Sequence, residues 1–140
     1  MVGMSIFIPP RPKRTAEILA YVEPRGNTVS ESLVNQAREA GPYLTYLALF
    51  SFHANRDGTL TAPPINPLPS VAAQTNASMA MVITNLENDQ FSSDLARDIL
   101  QSAAVQDLLL NNIISEAKRI GNTSDIHFDF ERIPGDQREA

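Results

Sequence analysis

The chain contains no cysteine, so no disulfide framework can hold it together and no thiolate is available for zinc, iron-sulfur or nucleophilic chemistry. Any reaction it supports must rest on carboxylates, hydroxyls and its 2 histidines. A dense basic cluster is also missing. The 11 Lys and Arg stand against 16 Asp and Glu for a formal charge of -5, and with nothing to track a phosphate backbone, nucleic acid is not an expected partner. Nor is a membrane. Ile6, Phe7 and Ile8 run at once into Pro9, Pro10, Arg11 and Pro12, which fits neither the h-region of a signal peptide nor a membrane span.

What is present suffices for one globular domain, 140 residues with 43% hydrophobic content. The opening MVGMSIFIPPRPKR reads as a short apolar strand entering a proline-stiffened basic linker. Residues 17–24, EILAYVEP, have the pattern of a buried strand stopped by Pro24 and Gly26. Ser30 is placed to cap a helix over SESLVNQAREAG, with Leu33, Val34 and Ala37 on one face and Gly41-Pro42 as its stop. Residues 43–52, YLTYLALFSF, are apolar on both faces, as a parallel strand covered on each side must be.

A proline-rich connection follows, with Asp57-Gly58 as a tight-turn signal and His53 expected in a solvent-facing loop. A short helix is predicted near residues 70–76, a third buried strand at SMAMVITNL, and a short and a long helix over FSSDLARDILQ and SAAVQDLLLNNIISEAKRIG. In the long helix Val105, Leu108, Leu109, Ile113, Ala117 and Ile120 recur at helical spacing, and Lys118 and Arg119 complement the dipole before Gly121. The fourth strand is DIHFDFE, residues 125–131. Alternation of strand and helix with connections of this length predicts an α/β fold built on parallel crossovers.

DIHFDFE carries the chemistry. Side chains on a strand alternate faces, so Asp125, His127, Asp129 and Glu131 fall on one side while Ile126, Phe128 and Phe130 are expected under the helices on the other. A solvated edge strand would produce the same alternation. Placement at the C-terminal end of a parallel strand favours a site, because barrel enzymes assemble their sites at that end.

These residues resemble the fourth-strand signature of glycoside hydrolase family 18, D-x-x-D-x-D-x-E, whose last Glu is the catalytic acid. Aligning Glu131 with that Glu puts Asp129 on the last Asp, His127 on the middle one and Ser124 on the first, so Asp125 stands one position from the pattern. LAYVEPRG, YLTYLALFSFHANRDGTL and SMAMVITN are similar to the family's first three strands, in the correct order. DIHFDFERIPGDQREA with FIPPRP upstream resembles the spore-cortex-lytic N-acetylglucosaminidases, which carry LysM peptidoglycan-binding modules, and VGMSIFIP is similar to the last strand of such a module.

The resemblance implies a (β/α)8 barrel of the TIM type, represented by about its first four strand-helix units. Residues 1–14 would then be the end of a LysM-like module with its linker, and 15–140 the N-terminal half of the catalytic domain. It further implies a spore or cell-wall location, no cofactor, and an N-acetylated glycan, peptidoglycan or chitin-like, cut by substrate-assisted hydrolysis. Glu131 would be the acid and Asp129 the group that orients the substrate's acetamide. From the strand spacing, Asp129 would raise the pKa of Glu131 by like-charge repulsion, and His127 is placed to hydrogen-bond Asp129 and orient it. Tyr21 and Phe50, with Phe52 beside them, could stack on sugar rings or serve as core, and Asn85 could touch substrate or cap a turn.

Two other readings stand beside this one. His127, Asp129 and Glu131 offer nitrogen and oxygen ligands to a metal-dependent hydrolase, although neighbours on one strand need help from other strands to converge on an ion. A complete barrel takes about 250 residues, so the chain can also be read as a truncated, non-catalytic fragment that at most binds glycan and self-associates through open barrel edges.

Overall fold

The computed structural model describes residues 16–137, and the expected LysM-like end and linker over residues 1–14 lie outside them. Four parallel strands form the sheet in chain order, β1 (Leu19–Val22), β2 (Tyr46–Ala54), β4 (Ser78–Thr84) and β7 (Thr123–Asp129). Between β2 and β4, the short β3 (Leu60–Thr61) folds back antiparallel on β2. β5 (Leu86–Glu87) and β6 (Gln90–Phe91) make a separate hairpin. The crossovers are α1 (Glu31–Ala40), α2 (Leu68–Gln74), and the pair α3 (Ser93–Leu100) and α4 (Ala103–Ile120).

Local chemistry explains the helix starts. Ser30, Ser92 and Ser102 each stand in extended backbone and accept a hydrogen bond from the amide three residues on, at 3.3, 3.2 and 3.4 Å. Each satisfies a donor that the first turn leaves unpaired. Asn76 and Asn122, with φ of 60° and 49°, make the left-handed turns that feed β4 and β7, a conformation asparagine tolerates better than most residues. Gly58 sits at φ +83°, and an added Cβ there would lie 2.7 Å from the carbonyl oxygen of Val105 in α4. The Asp57-Gly58 turn therefore seats directly on that helix.

The helices share one core with one face of the sheet. Leu47, Leu49, Phe52, Met79, Met81 and Ile83 point into it with Val34 of α1, Val71 of α2, Ile99 of α3 and Leu109 and Ile113 of α4, all buried. The opposite face carries a second, smaller cluster of Ala48, Ala80 and Val82, flanked by Leu19, Tyr46 and Phe50. Strands in sequential order with helices on a single face are what a segment of a closed barrel requires; a doubly wound sheet would reverse its order and cover both faces.

Two expectations change, and one open alternative is decided. His53 belongs to β2, paired with Thr61 and Thr84, and is half-buried rather than solvent-facing in a loop. Phe52, which the sequence leaves open as a stacking aromatic or core, lies wholly inside the helix-facing core. The register slips between Phe50 and Phe52, and a β-bulge of one residue sends residues that strict alternation would keep on one face to opposite faces. Finally, Ile126 and Phe128, expected under helices, are 36% and 55% exposed, while Asp125, His127 and Asp129 on the other face are less so. The cause is coverage. Helix α4 touches β7 and β3, but among the described residues only the single 3-10 turn Gly135–Gln137 follows β7, and no α-helix comes after it to cover its outer face. Phe128 and Phe130 line an apolar cavity of about 680 Å³ there, against Ile99 and Leu109.

Candidate active site

The inner face of the sheet brings the singled-out residues into rows. Register places Tyr21, Ala48, Ala80 and Asp125 side by side, then Phe50, Val82 and His127, then His53, Thr84 and Asp129 nearest the C-terminal ends. β7 pairs Met79 with Thr123 and Ala80 with Asp125, so Ser124 is passed over. From Asp125 onward the register is regular, so alternation keeps Asp125, His127 and Asp129 together on the inner face.

Tyr21 meets Phe50 edge-on with ring centroids 6.4 Å apart, and meets His127 at 6.3 Å. Tyr21 is 63% exposed and Phe50 half-buried, so the two present an aromatic wall with accessible ring surface beside the histidine. His127 does not turn to Asp129. Its Nε2 lies 2.9 Å from Oδ2 of Asp125, because both neighbours two residues away share its face and the ring has swung to the deeper one. The hydrogen bond from His127 holds the Asp125 carboxyl below its usual range, with a smaller contribution from the Ile126 amide.

Thr84 donates its hydroxyl to the Phe52 carbonyl oxygen at 3.4 Å, which leaves its oxygen to accept from Nδ1 of His53 at 3.2 Å. Burial holds the His53 imidazole below its usual pKa, against a weaker opposing effect of Asp89. A depressed imidazole pKa means that the unfolded chain protonates first as pH falls. Stability is therefore expected to drop as pH is lowered from the ordinary imidazole value toward the folded one. Urea midpoints measured between about pH 7.5 and 5 should decline in the parent and decline less in His53→Gln; equal slopes would show that His53 does not contribute. Asp125 acts in a lower window, since its depressed carboxyl stabilises the fold above the ordinary carboxylate pKa and loses that effect as pH falls through the folded value.

β7 stops pairing at Asp129, not at residue 131 as the sequence pattern predicts, because β4 turns away into the β5–β6 hairpin after Thr84. Glu131 thus lies two residues past the ladder and is exposed. Asn85, expected to touch substrate, is fully buried instead, with 0% exposure, and its side-chain amide is bonded to the backbone of Glu131. No free polar atom of it remains to meet a ligand. The β5–β6 hairpin carries Asn88 and Asp89 in a left-handed turn, a pair whose place between short β segments is a hairpin signal that strands of two residues make faint. Arg56 anchors that hairpin by pairing with Glu87 at 3.1 Å and with Asp98 of α3.

At the strand ends a cavity of about 620 Å³ opens, lined by Glu23, Arg25, His53, Pro63, Leu86 and Asp89 among others. It adjoins the row of His53 and Thr84, and neither Asp129 nor Glu131 lines it. Among the described residues no three His, Asp or Glu side chains form a group that could hold a metal ion; His127 spends its Nε2 on Asp125. No helix among them is long and apolar enough to cross a membrane.

No protein-family model matches the chain. It is 54% identical over 132 residues to the cortical fragment-lytic enzyme of Bacillus subtilis (strain 168), a match that covers 94% of this chain and 30% of the relative. Among solved structures, the Bacillus cereus spore cortex-lytic enzyme SleL superposes with a TM-score of 0.87 at 43% identity, over 95% of this chain and 31% of that one. A chitinase from Chromobacterium violaceum superposes with a TM-score of 0.73 at 19% identity, over 89% of this chain and 38% of the chitinase; at that identity the likeness concerns the fold. The chain is thus homologous to part of the cortical fragment-lytic enzymes and shares a partial barrel fold with the chitinase, and it spans about 30% of the cortical fragment-lytic relative's length.

Proposed function

We propose that this chain carries the acid-bearing portion of a retaining glycosidase that cuts β-1,4 bonds at N-acetylglucosamine in spore-cortex peptidoglycan. The observation that carries the reading is the inner face of β7, where Asp125, His127 and Asp129 lead to Glu131 at the C-terminal end of a parallel sheet, the end at which barrel folds place their catalytic groups. The relatives are named for lysis of the spore cortex, which supports a cortex glycan as the substrate and a spore-associated location.

In this reading Glu131, protonated, gives its proton to the glycosidic oxygen as the bond to the anomeric carbon breaks. The carbonyl oxygen of the same sugar's 2-acetamido group attacks that carbon and closes an oxazolinium ring. Asp129 orients the amide and balances its developing positive charge. Glu131, now a carboxylate, deprotonates water, which opens the ring with net retention. Tyr21 and Phe50 offer ring faces for stacking, and the His127–Asp125 pair fixes the floor beneath Asp129.

The test replaces the 132 matching residues of the Bacillus subtilis relative with this chain, so that the site is read inside a full-length barrel. Proton NMR of the reaction should show the β-anomer first, and a hydrolytically stable thiazoline analogue of the oxazolinium should inhibit competitively. An α-anomer as first product, or indifference to the analogue, would sink the substrate-assisted mechanism.

A second reading has its own support in the exposed Ile126 and Phe128 and in the edges of β1 and β7, each paired on one side only among the described residues. On that reading the 140-residue chain is non-catalytic by itself and pairs through those edges. Light scattering of the isolated chain together with a glycan-release assay separates the two: a stable, active monomer contradicts the second reading.

A further inference from the structure

We propose that Asn85 is the positioning residue of the catalytic acid, a role that rests on reading Glu131 as that acid. The ladder between β4 and β7 ends at the pair of Thr84 and Asp129. Beyond it β4 has no main chain to offer, because the backbone carbonyl of Asn85 already accepts from the Ser92 amide at 3.0 Å to close the β5–β6 hairpin. The peptide groups around Glu131 would be left without a sheet partner. The Asn85 side chain takes the missing place: its Oδ1 accepts from the Glu131 amide at 2.9 Å and its Nδ2 donates to the Glu131 carbonyl oxygen at 2.9 Å.

A carboxamide can do this because it carries the same donor and acceptor pair as a peptide group, and its second N–H is also used, donating to the Ser92 carbonyl oxygen at 2.9 Å. Asn85 itself is fully buried, where an unpaired polar group is costly, and its three bonds are part-buried, so the arrangement locks rather than frays. One residue further on, the Ser93 hydroxyl donates to the Arg132 carbonyl oxygen at 2.8 Å, at a left-handed backbone turn with φ of 55°. The consequence is geometric. Asp129 is held by the sheet and the main chain of Glu131 by Asn85, so the backbone positions from which the two carboxylates project keep a fixed relation although only one belongs to a strand. The clamp also ties the acid to the hairpin whose tip residue, Asp89, lines the cavity at the strand ends.

Asn85→Ala removes all three bonds, and Asn85→Asp keeps the acceptor while losing both donors until its buried carboxyl protonates and regains one. Hydrogen exchange read by NMR on the 140-residue chain should show the Glu131 amide exchanging at least about 10-fold faster in Asn85→Ala, the result of losing one bond of roughly 1.4 kcal/mol. In the full-length chimera, kcat should fall by about 10²-fold with KM little changed, as expected of a displaced but intact acid. Relative to the parent at each pH, Asn85→Asp should recover both Glu131 protection and kcat as pH is lowered; this variant carries the test if Asn85→Ala does not fold. Unchanged exchange at Glu131 overturns the clamp. Faster exchange with undiminished kcat overturns the positioning role. A fully active Glu131→Gln with the exchange result intact would instead remove the acid assignment and leave the clamp standing.

Discussion

Glu131→Gln is expected to lower glycan turnover by about 10²- to 10⁴-fold, measured in the full-length chimera on peptidoglycan fragments. The amide matches the carboxyl in size and shape but has no proton to give to the departing oxygen and cannot afterwards take one from water. Because Asn85 holds residue 131 through its main chain, the substitution leaves the backbone clamp in place, so the loss reports chemistry rather than displacement. KM should change little. The defect should shrink on an aryl glycoside, whose leaving group needs less protonation. A variant within tenfold of the parent on the natural glycan would show that another group supplies the proton.

Phe52→Ala is expected to destabilise the isolated chain by about 3–5 kcal/mol, a large share of the roughly 5–15 kcal/mol that hold a typical domain together. Phe52 is the largest of the fully buried side chains, with 0% exposure, and it sits where β2 meets the helices. Truncation removes its transfer free energy and leaves a cavity between elements that the rest of the core pins apart. Phe50→Ala, two residues away but on the inner face and half-buried, should cost markedly less stability. Urea unfolding of both variants, compared at constant m-value, checks the pair. Equal losses, or the reverse order, would contradict the register slip that separates the two rings.

That pair shows where sequence reading reaches its limit. Alternation assigns faces only while a strand keeps its register, and nothing in LALFSFH announces the slip between Phe50 and Phe52. Bulges depend on how neighbouring strands meet, so they are invisible in one strand's own pattern. His53 departs from its expected loop for a related reason. Its segment looked like the start of a loop, yet β3 folds back to pair with it, and a two-residue strand carries too little pattern to be read. The helices fared better, since serine caps and apolar periodicity act over a few residues and owe little to distant contacts.

The site divides along the same line. Residue types and spacing in DIHFDFE placed Asp125, His127 and Asp129 on one face, as the register has them. Spacing could not say which neighbour His127 would choose, because Asp125 and Asp129 are equally distant along the strand and only the three-dimensional surroundings turn the ring to Asp125. Asn85 shows the gap most plainly. In sequence it stands 46 residues from Glu131, and its position at the end of an apolar run suggested contact with substrate; burial and three hydrogen bonds make it part of the scaffold instead.

The sequence by itself determined the alternation of strands and helices, the parallel sheet, and the row of acid and imidazole on its last strand, since these follow from local propensity and from a period of two. Tertiary structure alone decided that Phe50 and Phe52 part company, that β7 releases the chain after Asp129, and that an asparagine just past the end of β4 catches Glu131 there. Those outcomes depend on how elements distant in the chain meet, and burial and hydrogen bonding across such meetings leave no period in a single segment.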